Sequence, residues 1–172
     1  MGYADEVTQA MAMLARHEKT LFVGQAVRYD GQRLHSTLKD VPMDRRIEMP
    51  VCEDFQMGFC TGLALEGHIP VSIYPRWDFL LLAANQLINH LDKIPLMGAF
   101  KPKVIVRTAV GSSKPLNPGH QHVQNHSHAF RQMCHTIDIH EIFAAHHVVE
   151  TYQRALESER SCIVVEHMDK YQ

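Results

Sequence analysis

The chain has 172 residues, of which 45% are apolar and 21% charged, and its formal net charge is −2. These values predict one globular domain spanning residues 1–172, large enough to bury a core. They provide no basic excess for nucleic acid, no polybasic segment for a membrane surface, no apolar run long enough to span a bilayer and no secretory signal. The four cysteines form no Cys-x-x-Cys pair. That pattern favours reduced thiols and a cytoplasmic location.

Apolar periodicity and turn residues predict alternating helices and strands. In chain order they are a helix over 5–17, a buried strand at 20–24, a polar surface loop over 28–45, a strand at 46–49, a helix over 54–66 ended by Gly67, and a strand at 70–74. A helix over 78–92, a strand at 103–107, a loop over 109–127, a strand at 136–139, a helix over 141–157 and a strand at 161–166 follow. This order predicts an α/β fold, a doubly wound, mostly parallel sheet with helices on both faces.

Two glycines interrupt the helix over 54–66, at Gly58 and Gly62. Each costs a helix roughly 1 kcal/mol against alanine. We therefore expect another surface to pack very close to this helix.

A carboxylate, Glu53, stands where the strand at 46–49 turns into that helix. Ligands of open α/β sheets bind at the carboxyl ends of the strands, so Glu53 is a candidate ligand-binding acid. The alternative is an ordinary acid at a helix N-terminus, which the helix dipole favours.

The order of these motifs resembles the pyrimidine-binding domain of thiamine-diphosphate-dependent enzymes, of the transketolase and 2-oxo-acid dehydrogenase β-subunit type. The resemblance runs from about Leu21 to about Glu166. Its pieces are Val23-Gly24, Pro50-Val51-Cys52-Glu53, Gly58, Gly62, Gly67, Pro70-Val71, Trp77-Asp78-Phe79, residues 86–90, Arg107 and Gln121-His122-Val123-Gln124.

The resemblance implies thiamine diphosphate as cofactor, with Glu53 hydrogen-bonded to a nitrogen of its aminopyrimidine ring. In this family that contact favours the imino tautomer, which lets the thiazolium carbon lose its proton. Phe79 would stack on the ring, Trp77 would form a second aromatic wall and Val51 would face the cofactor. For Phe79 and Val51, core packing is the alternative.

The histidine-rich segment 119–128 is open to three interpretations. The resemblance makes His122 a catalytic candidate that contacts substrate or protonates an intermediate oxygen, because histidine titrates near neutral pH. His120 and His122 would then bind a hydroxyl-bearing substrate. The other interpretations are a solvated loop and a metal-binding tract, although its spacing is not that of a structural zinc site.

The chain departs from the family pattern at several places. It has no Gly-Asp-Gly segment followed by Asn, the motif that holds Mg²⁺ and the diphosphate in this family, and no C-terminal transketolase domain is expected. Gln25-Ala26 replaces a common acidic pair, and Leu82 replaces a polar residue. The resemblance thus implies a stand-alone subunit that shares thiamine diphosphate with a diphosphate-domain subunit, which holds the Mg²⁺. Two copies of each chain would satisfy closed symmetry.

We therefore expect the small subunit of a split, transketolase-like enzyme, a thiamine-diphosphate-dependent transferase that catalyses ketol transfer in carbohydrate metabolism. One alternative is a β-like subunit of a 2-oxo-acid decarboxylase or dehydrogenase. Others are a regulatory subunit that keeps the fold without turnover and a histidine-loop metal-binding protein, since fold alone does not settle function.

Overall fold

The computed structural model describes residues 1–30, 33–111 and 117–171, and its centre is a six-stranded parallel sheet. The strands are β1 (Thr20–Gly24), β2 (Arg46–Glu48), β3 (Ile69–Ile73), β4 (Ile105–Val110), β5 (Asp138–Glu141) and β6 (Cys162–His167). They lie in the order β2-β1-β3-β4-β6-β5, and every pairing is parallel. The predicted fold class is confirmed.

Helices cover both faces of this sheet. They are α1 (Tyr3–Ala15), α2 (Arg33–Ser36), α3 (Glu53–Leu65), α4 (Trp77–Leu80), α5 (Ile94–Met97), α6 (Ser127–Met133) and α7 (Val148–Glu157). One core lies under α1, α2 and α7, and a second lies under α3, α4 and α6. Among the described residues, no helix combines the length and the apolar character needed to cross a membrane.

The structure corrects three of the predicted elements. The predicted helix over 141–157 begins only at Val148, because residue 141 ends β5 and a 3₁₀ turn precedes α7. Residues 28–45 are not only a surface loop, because Leu34, Leu38 and Val41 are buried in the core under α1. The predicted helix over 78–92 is broken into α4, a 3₁₀ turn and a π-helical stretch, Gln86–Leu91. Of the predicted loop over 109–127, residues 112–116 lie outside the described residues.

The two glycines of α3 differ in their surroundings. A Cβ at Gly58 would meet the Gln86 side chain at 3.5 Å, which is ordinary contact. A Cβ at Gly62 would have nothing within 4 Å. The close packing expected along this helix is therefore not supplied at Gly62 by the described part of this chain.

Gly24, by contrast, is a point of tight approach within the sheet. It pairs with Ile73, and a Cβ at Gly24 would lie 2.7 Å from the Ile73 carbonyl oxygen. Because that oxygen is backbone, the two strands would have to separate.

We expect Gly24→Ala to lower the free energy of unfolding by about 1–3 kcal/mol through this overlap. Gly62→Ala is the matched control and should raise it by up to about 1 kcal/mol, because alanine is the better helix former. Urea unfolding of both variants measures the difference. Equal effects of the two substitutions would contradict the tight approach at Gly24.

Asp92 ties the π-helical stretch to the chain that leads into β5. Its fully buried carboxylate accepts hydrogen bonds from the backbone N–H groups of His135 and Thr136 at 2.8 and 2.7 Å and pairs with Lys93 at 2.7 Å. Burial alone would raise the pKa of Asp92. The hydrogen bonds from Lys93, Thr136 and His135 together outweigh burial and lower it from 3.8 to about 2.

Because the pKa of Asp92 is lower in the folded state, its contribution to stability is present above about pH 4 and is lost as the pH falls toward 2. Asp92→Asn should lower the free energy of unfolding at pH 7 by about 1–2 kcal/mol. The gap from the unsubstituted chain should shrink between pH 4 and 2, as measured by urea unfolding. The exposed Asp30→Asn variant is the control and should show neither effect, and a gap that persists at pH 2 would refute the assignment.

Candidate active site at the carboxyl edge of the sheet

The candidate residues follow three different strands at the carboxyl edge of the sheet. Glu53 comes after β2, Phe79 after β3 and His122 after β4. Because β1 separates β2 from β3 and β4 lies beside β3, these segments meet along one edge. This edge is where an open parallel sheet binds ligands.

The N-terminus of α3 is fixed to the sheet by two side chains. The Gln56 amide donates to the Ile73 carbonyl oxygen at 3.0 Å and to Ser72 Oγ at 3.2 Å. The Tyr74 hydroxyl donates to the backbone carbonyl of Glu53 at 3.3 Å, and burial raises the pKa of Tyr74 well above its usual range. The backbone of Glu53 is therefore held from both the helix and the strand side.

Glu53 is only 7% exposed and is the first residue of α3, where the helix dipole favours a negative charge. Gln25 Nε2 donates to its Oε1 at 3.2 Å. Gln25 thus contacts the candidate ligand-binding acid directly. The sequence alone did not reveal this contact, which joins residues 28 positions apart.

Glu48 holds the turn that carries Gln25. Its carboxylate accepts hydrogen bonds from three successive backbone N–H groups, those of Ala26, Val27 and Arg28, at 2.5, 2.9 and 2.9 Å. Ala26 is in the left-handed region with φ of 50°. The hydrogen bonds from these successive N–H groups to Glu48 stabilise this conformation. Glu48 was not predicted as a site residue, although an acid that ends a strand at this edge was a usable signal.

Three consecutive residues of α4 each meet one residue of the chain that follows β4, two in the histidine-rich segment and one in α6, at a spacing of four. The contacts are Phe79 with His122 (ring centroids 5.0 Å, 54° between planes), Asp78 with His126 (Oδ1 to Nε2 3.6 Å) and Trp77 with Phe130 (5.4 Å, 88°). The histidine-rich segment therefore runs alongside α4 toward α6.

The predicted aromatic pair has two different environments. Trp77 is wholly buried and packs edge to face on Phe130, so its ring has no exposed face. Phe79 is partly exposed and meets His122 at a tilt rather than in a parallel stack. Of the two rings, only that of Phe79 is accessible from solvent.

Val51 and His120 lie at the surface. Val51 is 82% exposed, beside the start of α3, and is therefore not a core residue of this chain. His120 is exposed on the 3₁₀ turn His120–His122. Two further apolar side chains, Phe55 (54%) and Leu82 (64%), are also exposed.

Asp78 and His126 were not among the candidate residues from sequence. Both carboxylate oxygens of Asp78 are buried without a hydrogen-bond partner, and so are His126 Nε2 and His122 Nδ1. Within the described ranges, no three histidine, cysteine, aspartate or glutamate side chains are grouped so as to hold a metal ion. The available signals were the Trp-Asp-Phe sequence and the histidine tract itself.

The opposite face of the sheet holds a second polar cluster. Fully buried Arg107 donates to both carboxylate oxygens of Glu166, at 2.9 and 3.0 Å, and to Thr37 and Tyr171. Burial would lower the pKa of Arg107, but the Glu166 charge and its hydrogen bond more than offset this and raise it. Tyr152 of α7 donates to the same carboxylate at 2.5 Å. This cluster joins β4 and β6 under α7.

Comparison with known proteins identifies a similar solved structure. It is described as a split-gene transketolase, an inactive β4 tetramer, and it matches 98% of this chain with a TM-score of 0.72 and 15% sequence identity. The chain spans about half of that protein, 52% of its length. No family model and no curated protein matches the sequence. At this identity the similarity establishes the fold, which is that of a transketolase-like chain.

Proposed function

We propose that this chain is the small subunit of a split, thiamine-diphosphate-dependent transketolase-like enzyme that catalyses ketol transfer. The observation that carries the proposal is the carboxylate of Glu53, buried at the start of α3 and held by Gln25. It lies at the ligand-binding edge of a fold similar to that of a split transketolase chain.

The residues at this edge suit an aminopyrimidine ring. A fixed carboxylate can hydrogen-bond a ring nitrogen, and the partly exposed ring of Phe79 provides a flat apolar surface. Val51 adds an exposed apolar side chain next to Glu53. When bound, thiamine diphosphate would supply the carbanion chemistry needed to break a carbon–carbon bond beside a carbonyl.

The chain's own residues would bind, orient and move protons. Glu53 would hold a proton at a ring nitrogen, and Gln25, which donates to Oε1, would keep the carboxyl group oriented. His122, in contact with Phe79, would exchange a proton with a substrate oxygen. His120, on the same turn, would bind a hydroxyl group of the substrate.

A partner subunit would complete the site. Phe55 and Leu82 expose apolar side chains, and among the described residues none would lie within 4 Å of a Cβ at Gly62. The partner would contribute the diphosphate site and Mg²⁺, with two copies of each subunit. The similar structure is an inactive tetramer described as β4, which is in keeping with a β-type chain that needs a different subunit for activity.

We expect Glu53→Gln to lower kcat of the assembled complex by about 100-fold to 10,000-fold, the usual contribution of a positioned proton-transfer group. Cofactor binding should persist, because the amide keeps the shape of the side chain. Glu66→Gln, an exposed acid just after the end of the same helix, is the control and should leave kcat unchanged. Steady-state kinetics and calorimetric binding of thiamine diphosphate measure the two quantities.

Unchanged turnover in Glu53→Gln would refute the catalytic role. A complex that binds thiamine diphosphate with no turnover on ketoses or 2-oxo acids would instead favour the regulatory alternative. Turnover confined to 2-oxo acids, with no ketol transfer, would favour the decarboxylase or dehydrogenase alternative.

Association should depend on the apolar surface beside α3. Phe55→Ser should weaken binding of the partner by about 10-fold to 100-fold, since truncating a central aromatic side chain typically has that effect. Met133→Ser removes an exposed apolar side chain at the end of α6 and is the control. Sedimentation of the mixed subunits gives both affinities. Equal affinities for the two variants would place the interface elsewhere.

A further inference from the structure

Asp78 of α4 has a buried carboxylate that accepts no hydrogen bond. The Asp78 side chain is 9% exposed, and neither of its oxygens has a hydrogen-bond partner. A carboxylate offers about four acceptor positions, and leaving a buried polar group unsatisfied is costly. The folded chain therefore presents an acceptor site that a ligand or water has to fill.

Two imidazole nitrogens of the histidine-rich segment are also buried without a hydrogen-bond partner. His126 Nε2 lies 3.6 Å from Asp78 Oδ1, too far for a hydrogen bond, and it has no other partner. His122 Nδ1 is likewise buried and unpartnered. Each nitrogen can donate or accept, depending on the tautomer.

Arg76 compensates the charge of Asp78 without satisfying its hydrogen bonds. Burial lowers the pKa of Arg76, and the charges of Asp78 and Asp169 counter that effect. Its guanidinium donates to the Gly111 carbonyl instead of to Asp78. The carboxylate is therefore electrostatically supported and still open as an acceptor.

The combination of groups selects the chemistry of the ligand. A hydroxyl group donates to a carboxylate and accepts from an imidazole N–H, so one hydroxyl can satisfy both. An anionic group would be repelled by Asp78. A metal ion would need three grouped ligands, which the described residues do not provide.

We infer that Asp78 and His126 form a recognition site for a substrate hydroxyl group, beside Phe79 and His122. This inference deepens the proposed function and rests on it, because the hydroxyl would be the one next to the reacting carbonyl. Asp78 precedes Phe79 in the chain, and His126 lies in the segment that contacts it, so the site adjoins the proposed aminopyrimidine surface. Asp78 and His126 would thus determine specificity for hydroxylated donors.

The test compares 3-hydroxypyruvate with pyruvate, which differ by one hydroxyl. In the assembled complex, Asp78→Asn should raise KM for 3-hydroxypyruvate by about 10-fold to 100-fold, with kcat and the pyruvate KM within about twofold. His126→Gln should act in the same direction. His128→Gln, an exposed histidine on α6, is the control and should change neither KM. Equal losses with both acids, or no loss with either, would overturn the inference.

Binding is measured separately from turnover, by NMR of the histidine ring C–H signals in the full chain with its partner present. The His126 signal, assigned by its loss in His126→Gln, should shift more with 3-hydroxypyruvate than with pyruvate, and this difference should vanish in Asp78→Asn. A complex that shows this selective shift but turns over neither acid would contradict the proposed function alone. Equal shifts with both acids, no shift with either, or a shift produced only by stoichiometric Zn²⁺ would overturn the hydroxyl site.

Discussion

The attachment of α3 to the sheet is the constraint on which the candidate site depends. Gln56 bonds to Ser72 and to the end of β3, and Tyr74 bonds to the carbonyl of Glu53. These bonds hold the first turn of the helix at the edge of the sheet. Glu53 is therefore buried in a fixed position, and Glu48 holds the turn after β1 from which Gln25 reaches it.

The buried polar cluster under α7 and the one at the carboxyl edge of the sheet differ in how fully they are hydrogen-bonded. Under α7, Glu166 receives hydrogen bonds from Arg107, Tyr152 and Tyr171, although Arg107 Nη1 has no partner. At the carboxyl edge, the Asp78 carboxylate and two imidazole nitrogens have no such bonds. Folding explains the first cluster, because it joins two strands to the chain around them. For the second cluster we infer that a substrate hydroxyl group supplies the missing hydrogen bonds.

Local sequence patterns predicted much of the fold and part of the site. The apolar run at 20–24 matches β1 residue for residue, and an acid at the start of α3 follows from the strand–helix pattern. The burial of Leu34, Leu38 and Val41 was missed, because polar neighbours dilute their spacing. The break at Gln86–Leu91 was also missed, because no Gly or Pro marks it in the sequence.

The contacts that define the site could not be predicted from sequence, because they join distant segments. Gln25 meets Glu53 across 28 positions, and Asp78 meets His126 between β3 and the residues after β4. Neither pair leaves a periodic signal in the chain. The burial of Trp77 likewise depends on Phe130 of α6, which only the folded arrangement places against it.

The most direct measurement is an experimental structure of this chain with its diphosphate-domain partner and thiamine diphosphate. We predict the aminopyrimidine ring at the subunit interface, with one ring nitrogen within hydrogen-bonding distance of the Glu53 carboxylate and the ring plane against Phe79. A cofactor bound wholly within the partner, or a Glu53 side chain turned away from it, would contradict the proposed role of Glu53.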